Sequence, residues 1–152
     1  MLISDAKKEW LKKEFLTKID FLKEIPENEI IQLIDSLERI TYNKGQTIIF
    51  QGEISNRLYL ISEGKVSVWI KQGKEKKQVA LLGQGEYFGE MSLLEPITAS
   101  ATLRAEEQCE LFTLSREKLI SVTNKFPKSI DKIREKILKR KEELGKNRSE
   151  NV

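Results

Sequence analysis

Between Gly85 and Thr102 the chain reads GEYFGEMSLLEPITASAT, and its polar groups are spaced for ligand binding. Gly85 turns the chain out of a β-prone run, and Gly89 leads into one helical turn, Glu90–Leu94, that Pro96 stops. A glycine beside a helix start presents free N–H groups and the positive end of the peptide dipoles, which together attract an anion. Gly89 admits close approach by something bulky. The Glu90 carboxylate is placed to accept a hydroxyl proton, while Thr98, Ser100 and Thr102 add hydroxyl and backbone donors. This set suits a small ligand with one anionic group and one sugar-like hydroxyl.

The same composition removes most catalytic chemistry. With no histidine there is no imidazole base, no His-dependent triad and no His metal ligand. One cysteine, Cys109, makes neither an internal disulfide nor a thiolate zinc site, and reads as a small buried apolar residue in a reducing compartment. No pair of acids sits inside an apolar segment where burial would shift its pKa for acid–base work. The expectation is therefore a non-enzyme with no cofactor. No run approaches the ~18 apolar residues of a membrane helix, and MLISDAKKEWLKK lacks the apolar stretch of a secretory leader, so a cytoplasmic location is expected.

What must position the Gly85–Thr102 segment is a set of short strands. Seven of the eight glycines fall between Gly45 and Gly89, and the flanking stretches 1–44 and 90–144 have none. Glycine at that density marks tight turns between strands. The runs 47–50, 57–61, 65–70, 77–82, 100–104 and 109–113 are rich in β-branched and aromatic residues, and Val66, Val68 and Ile70 alternate onto one face. Lys71-Gln72-Gly73-Lys74 reads as a hairpin turn. Tyr59 and Trp69 read as core or rim aromatics. Short strands at this spacing predict a sandwich or barrel of 152 residues including its helices.

Helices flank the strands. Leu11, Phe15, Ile19 and Leu22 predict an amphipathic helix over roughly 5–23. Pro26 opens a second, with Ile30, Leu33, Ile34 and Leu37 at helical spacing. Ser115 is the expected N-cap of a helix over 116–125, and Pro127 starts a last helix to about Leu144. The expected division is an N-terminal helix over 1–24, the strand unit with its adjoining helices over 25–125, and a basic helix and tail over 126–152. Ten Lys/Arg against four acids give the stretch 125–148 a charge of +6, whereas 25–124 carries −3. Ile130, Ile133, Ile137 and Leu144 make an apolar seam on that last helix, and a homodimer through it is one expected partnership.

The motif Phe88-Gly89-Glu90-Met91-Ser92-Leu93-Leu94, followed by Ala99-Ser100-Ala101-Thr102, resembles the phosphate-binding cassette of the cyclic nucleotide-binding domain family. That family includes the catabolite activator protein, kinase regulatory subunits and cyclic nucleotide-gated channels. Gly45-Gln46-Thr47-Ile48-Ile49-Phe50-Gln51-Gly52-Glu53 and Leu58 through Val66 are similar to its glycine-punctuated strands, and the likeness runs over roughly 20–140. It implies a mainly β fold with flanking helices: an eight-stranded β-roll (a jelly-roll-like double-stranded β-helix) with N-terminal helices and two C-terminal helices that move on binding. It also implies a cyclic nucleotide or similar small anion as ligand, held by Phe88, Gly89, Glu90, Met91, Ser92, Ala99, Ser100 and Ala101. Within that set Glu90 would bind the ribose 2′-hydroxyl, and Gly89 and Ser92 would offer backbone groups.

The resemblance departs at Thr98-Ala99, where cyclic nucleotide-binding members carry Pro-Arg, the arginine pairing with the cyclic phosphate. Ordinary cAMP affinity is then expected only if another cation substitutes, with Arg104, Lys132, Arg134 and Lys136 as candidates. The functional expectation is a regulatory domain sensing a small ligand. The alternative is a ligand-free interaction or dimerisation module. Nucleic acid is not expected as a partner of this domain alone.

Overall fold

The computed structural model describes residues 3–18, 23, 25–89, 92, 97–124, 131, 134–135, 138–139 and 142. Two compact units divide the chain, one from residues 1–36 and 117–152 and one from residues 37–116.

The second unit holds the strands. Its strands are β1 (Glu38–Tyr42), β2 (Thr47–Ile49), β3 (Ile54–Ser55), β4 (Arg57–Glu63), β5 (Val66–Gln72), β6 (Glu75–Leu82), β7 (Tyr87–Phe88), β8 (Ile97–Thr98), β9 (Thr102–Ala105) and β10 (Cys109–Ser115). They form one sheet in the order β1-β10-β4-β7, a second in the order β2-β9-β5-β6, and the two-stranded pair β3-β8, with antiparallel pairing throughout. Ten strands are described where the family resemblance implies eight, and six of them, β2, β4, β5, β6, β9 and β10, fall on the runs read from sequence. Of the other four, β3, β7 and β8 are two residues each, too short for any alternation to register in the sequence. β1 was also missed, because Glu38-Arg39-Ile40-Thr41-Tyr42 is mostly polar and exposed and pairs only through β10.

Period-two alternation assigns the faces. Leu103 and Ala105 of β9, Val66 of β5, Tyr59 and Ile61 of β4 and Leu111 of β10 meet in one buried cluster with Ile49, Ala101 and Cys109. The opposite side chains of β4 and β10, Leu58, Leu60, Phe112 and Leu114, are buried as well, so these central strands read as continuous apolar runs. Cys109 lies in the core as expected, and burial pushes its thiol pKa up, which keeps it protonated and unreactive.

On the outer face of the second sheet, Ser67 of β5 donates to Glu106, which also accepts from Arg104 Nε and Nη2 at 3.3 and 3.2 Å. The Ser67 hydrogen bond, then the one from Arg104, holds the Glu106 carboxyl below the ordinary carboxylate range. A lowered folded pKa contributes stability above the unfolded value that fades as pH falls through the folded one. Ser67→Ala should therefore move the Glu106 titration, followed by carboxyl NMR, back up toward its usual position. An unchanged midpoint would remove Ser67 as the cause.

The first unit contains α1 (Asp5–Lys18), α2 (Glu27–Asp35) and α3 (Arg116–Thr123), α3 beginning at the last residue of the β unit. Pro26 occupies the N-cap of α2 with φ −57°, and Ile30, Leu33 and Ile34 are buried at the predicted spacing. Leu11 of α1 is buried, and Lys12–Glu27 and Lys8–Asp35 (3.0 Å) link α1 to α2. α3 follows β10 directly. Ile19 and Leu22, and the seam residues Ile130, Ile133, Ile137 and Leu144, lie outside the described residues, as do Lys132 and Lys136.

Candidate ligand-binding site

The cassette begins where β7 ends. Phe88 pairs with Tyr59 of β4 in register, and the two rings stack with centroids 4.9 Å apart and planes 11° from parallel. Burial raises the Tyr59 phenol above its ordinary pKa, so it stays neutral, and the aromatic pair forms an apolar wall leading to Gly89.

Gly89 adopts φ +88°, and a Cβ built there would lie 2.5 Å from the carbonyl oxygen of Arg57. The bulky neighbour that requires a glycine is thus the backbone of β4. Ser92 reinforces this contact. Its amide donates to Gly89 O at 3.1 Å, and its buried hydroxyl reaches Arg57 O at 3.0 Å and Gly89 O at 2.6 Å. The Ser92 side chain fastens the turn onto β4. Glu90 and Met91, both in the predicted set, lie outside the described residues.

The second half of the cassette is anchored differently. Ala99 donates its N–H to Glu53 O at 2.7 Å and accepts from Gly52 N at 2.9 Å, a two-sided clamp to the turn after β2. Its side chain is half-buried and packs against the core cluster, and Ala101 is a core residue. Ser100 is exposed at the bend between them. Thr98 is also exposed, and the Thr102 hydroxyl accepts from Gln51 N at 2.9 Å. Of the predicted hydroxyls, those of Thr98 and Ser100 are thus exposed, and that of Thr102 is engaged as an acceptor by Gln51.

Arg104 does not substitute for the missing arginine. Leu103 and Ala105 occupy the inward positions of β9, so Arg104 alternates to the outer face, where it pairs with Glu106 and lies 5.0 Å over the Trp69 ring. Arg134 is exposed on the other unit. Arg57, which sequence reasoning overlooked, lends its carbonyl to the cassette. Its guanidinium bonds Glu38 and Thr113 at 3.0 and 3.1 Å, so its charge is already matched. No local signal marks Arg57, since its role rests on a carbonyl oxygen 35 residues from Ser92. Among the described residues no group of three or more His, Cys, Asp or Glu side chains could hold a metal ion.

Comparison with known proteins decides the family. The profile of the Cyclic nucleotide-binding domain matches residues 39–126, over half of the chain. The chain belongs to the cyclic nucleotide-binding domain family. It is 37% identical over 100 residues to the Cyclic AMP receptor protein of Thermus thermophilus, covering 65% of this chain and 46% of that one. It is 37% identical over 97 residues to human cGMP-dependent protein kinase 2, covering 62% of this chain and 13% of the kinase. The crystal structure of the Thermus thermophilus Catabolite Activator Protein superposes with a TM-score of 0.68 at 30% identity, over 85% of this chain and 61% of that one. The regulatory domain of Toxoplasma gondii PKA with cAMP shares the fold, with a TM-score of 0.69 at 20% identity, over 91% of this chain and 51% of that one. The chain thus spans less than half the length of these two curated relatives.

In the terms of this cyclic nucleotide-binding domain, the two sheets are the β-roll. The family is regulatory, and where relatives are kinases the family domain accounts for only a fraction of their length. No helix among the described residues is long and apolar enough to cross a membrane.

Proposed function

We propose that this domain is a ligand-sensing regulatory module that takes a small anionic, ribose-bearing ligand of the cyclic nucleotide type at the cassette and answers by moving its C-terminal helices. The observation that carries the reading is the scaffold. Gly89 and Ser92 are locked onto β4, and Ala99 is clamped to Gly52 and Glu53. Phe88, Gly89, Glu90, Met91, Ser92, Ala99, Ser100 and Ala101 are the proposed contact residues, Glu90 toward the ribose and the backbone of Gly89 and Ser92 toward the phosphate.

Affinity for cAMP is low in this proposal. A charge-assisted arginine–phosphate contact in a partly dry site is worth about 2–5 kcal/mol when one partner is truncated. At about 1.4 kcal/mol per decade, a site with a Kd of about 3 µM falls to a Kd of roughly 0.1–10 mM. At ~1 mM cAMP the stabilisation RT ln(1 + [L]/Kd) is then about 0.1–1.4 kcal/mol. Thermal melts with and without ~1 mM cAMP should differ by a few degrees at most, and an NMR titration should shift the amides of Gly89, Ser92 and Ala99. A shift of several degrees at ~10 µM cAMP would overturn the weak-affinity reading. Unmoved amides at ~10 mM would favour the ligand-free interaction module instead.

A further inference from the structure

The outer face of the second sheet carries a groove of about 570 Å³, on the side of β9 away from the core cluster. The turn after β2 forms one wall with Phe50 and Gln51, and the tip of the β5–β6 hairpin forms the other with Lys71 and Lys76. Trp69 and Arg104 lie between them. We propose that this groove and the adjoining edge of β6 dock an acidic, extended peptide segment of a partner protein that carries an aromatic side chain.

Charge is the first argument. Lys71 and Lys76 are direct cross-strand partners, so two ammonium groups stand opposite each other on one face. Like charges in that relation are destabilising unless an anion lies between them. Among the described residues neither has a carboxylate oxygen within 4.0 Å of its ammonium group. Lys71, Lys74, Lys76 and Lys77 against Glu75 make the hairpin tip +3, within a 25–124 span whose net charge is −3. The anion is therefore attracted by a local feature of the hairpin and not by the charge of the domain.

Preorganisation is the second. Gln51 bridges the two walls, accepting from Lys71 N at 2.8 Å and donating to Lys71 O at 3.3 Å. Trp69 Nε1 donates to Ser67 Oγ at 2.8 Å, which fixes the indole plane beneath Arg104. Holding these side chains in place before binding lowers the ordering cost of association. The third argument selects a peptide over a small ion. Phe50 is 56% exposed, and Val79 and Leu81 of β6 are 49% and 51% exposed beyond the groove. Among the described residues β6 is the edge of its sheet, the position at which a further strand can be added. A carboxylate between Lys71 and Lys76, an aromatic ring on Phe50 and Trp69, and main-chain pairing along β6 are met together by one extended acidic peptide.

The test uses the full chain carrying Trp10→Phe, which leaves Trp69 as the sole indole. The probe is the acetylated peptide DEDFDEV, followed through Trp69 emission in moderate salt, beside the same peptide with Ala for Phe and an oligothymidylate ten nucleotides long. The Phe peptide should give a saturable change. Affinity should drop at least tenfold in Lys71→Glu/Lys76→Glu, by a smaller factor in the uncharged Lys71→Gln/Lys76→Gln pair, and at least threefold with the Ala peptide. No saturable change up to ~1 mM, equal affinity in both lysine variants, or tighter binding of the oligothymidylate would each overturn the proposal.

Discussion

Ala99→Arg should gain at least tenfold in cAMP affinity over the parent chain when the two are compared by calorimetry. The expected gain follows from what the substitution restores. Ala99 follows β8 with its own backbone clamped to Gly52 and Glu53, and its half-buried side chain lies on the core side, packed against the core cluster. A guanidinium there supplies a planar, bidentate counter-charge for a cyclic phosphate, worth on the order of 2–5 kcal/mol in a partly dry site. Thr98→Arg is the internal control. Thr98 is exposed, so its arginine reaches solvent, and the gain should stay under about twofold after salt screening. Equal affinities for parent and Ala99→Arg, in a variant that melts like the parent, would mean that the roll interior no longer admits a cyclic nucleotide.

The second large effect is on stability. Gly64 lies at the β4–β5 turn with φ +97°, and a Cβ there would stand 2.6 Å from both Cys109 Sγ and Gln108 O and 2.9 Å from Cys109 Cα. Gly64→Ala therefore combines a disfavoured φ, of order 1–3 kcal/mol, with overpacking against backbone, typically 1–3 kcal/mol. The expected loss is about 3–5 kcal/mol, a large share of the 5–15 kcal/mol that holds a domain of this size folded. Gly73→Ala separates the two contributions. Gly73 has φ +62° with nothing within 4 Å of a built Cβ, so only the backbone cost applies. Urea denaturation of both variants should show Gly64→Ala losing at least twice as much as Gly73→Ala. Equal losses would mean that β10 moves aside and that the contact with Cys109 costs nothing.

These two glycines mark how far the sequence could be read. Glycine density between Gly45 and Gly89 located the turns, and the alternation of Val66, Val68 and Ile70 gave the strand period, because both signals are local and depend on φ and side-chain direction alone. The helix at Pro26 was legible for the same reason. Its N-cap proline and the spacing of Ile30, Leu33 and Ile34 act within a few residues.

The family was legible too, since the cassette is a contiguous motif whose turn chemistry is carried by residue type. What only the tertiary structure decided were matters of pairing between distant segments. That Gly89 yields to the Arg57 carbonyl, that Ser92 is a fastener, and that Ala99 is clamped by Gly52 and Glu53 all rest on backbone atoms, which have no residue-type signature. The short strands β3 and β8 exist only because they pair with each other across more than 40 residues. Arg104 shows the limit most directly. Its charge and its nearness to Ala99 in sequence suited it to replace the missing arginine, but one step of strand alternation turns it from the core side to the outer face, where Glu106 and Trp69 hold it.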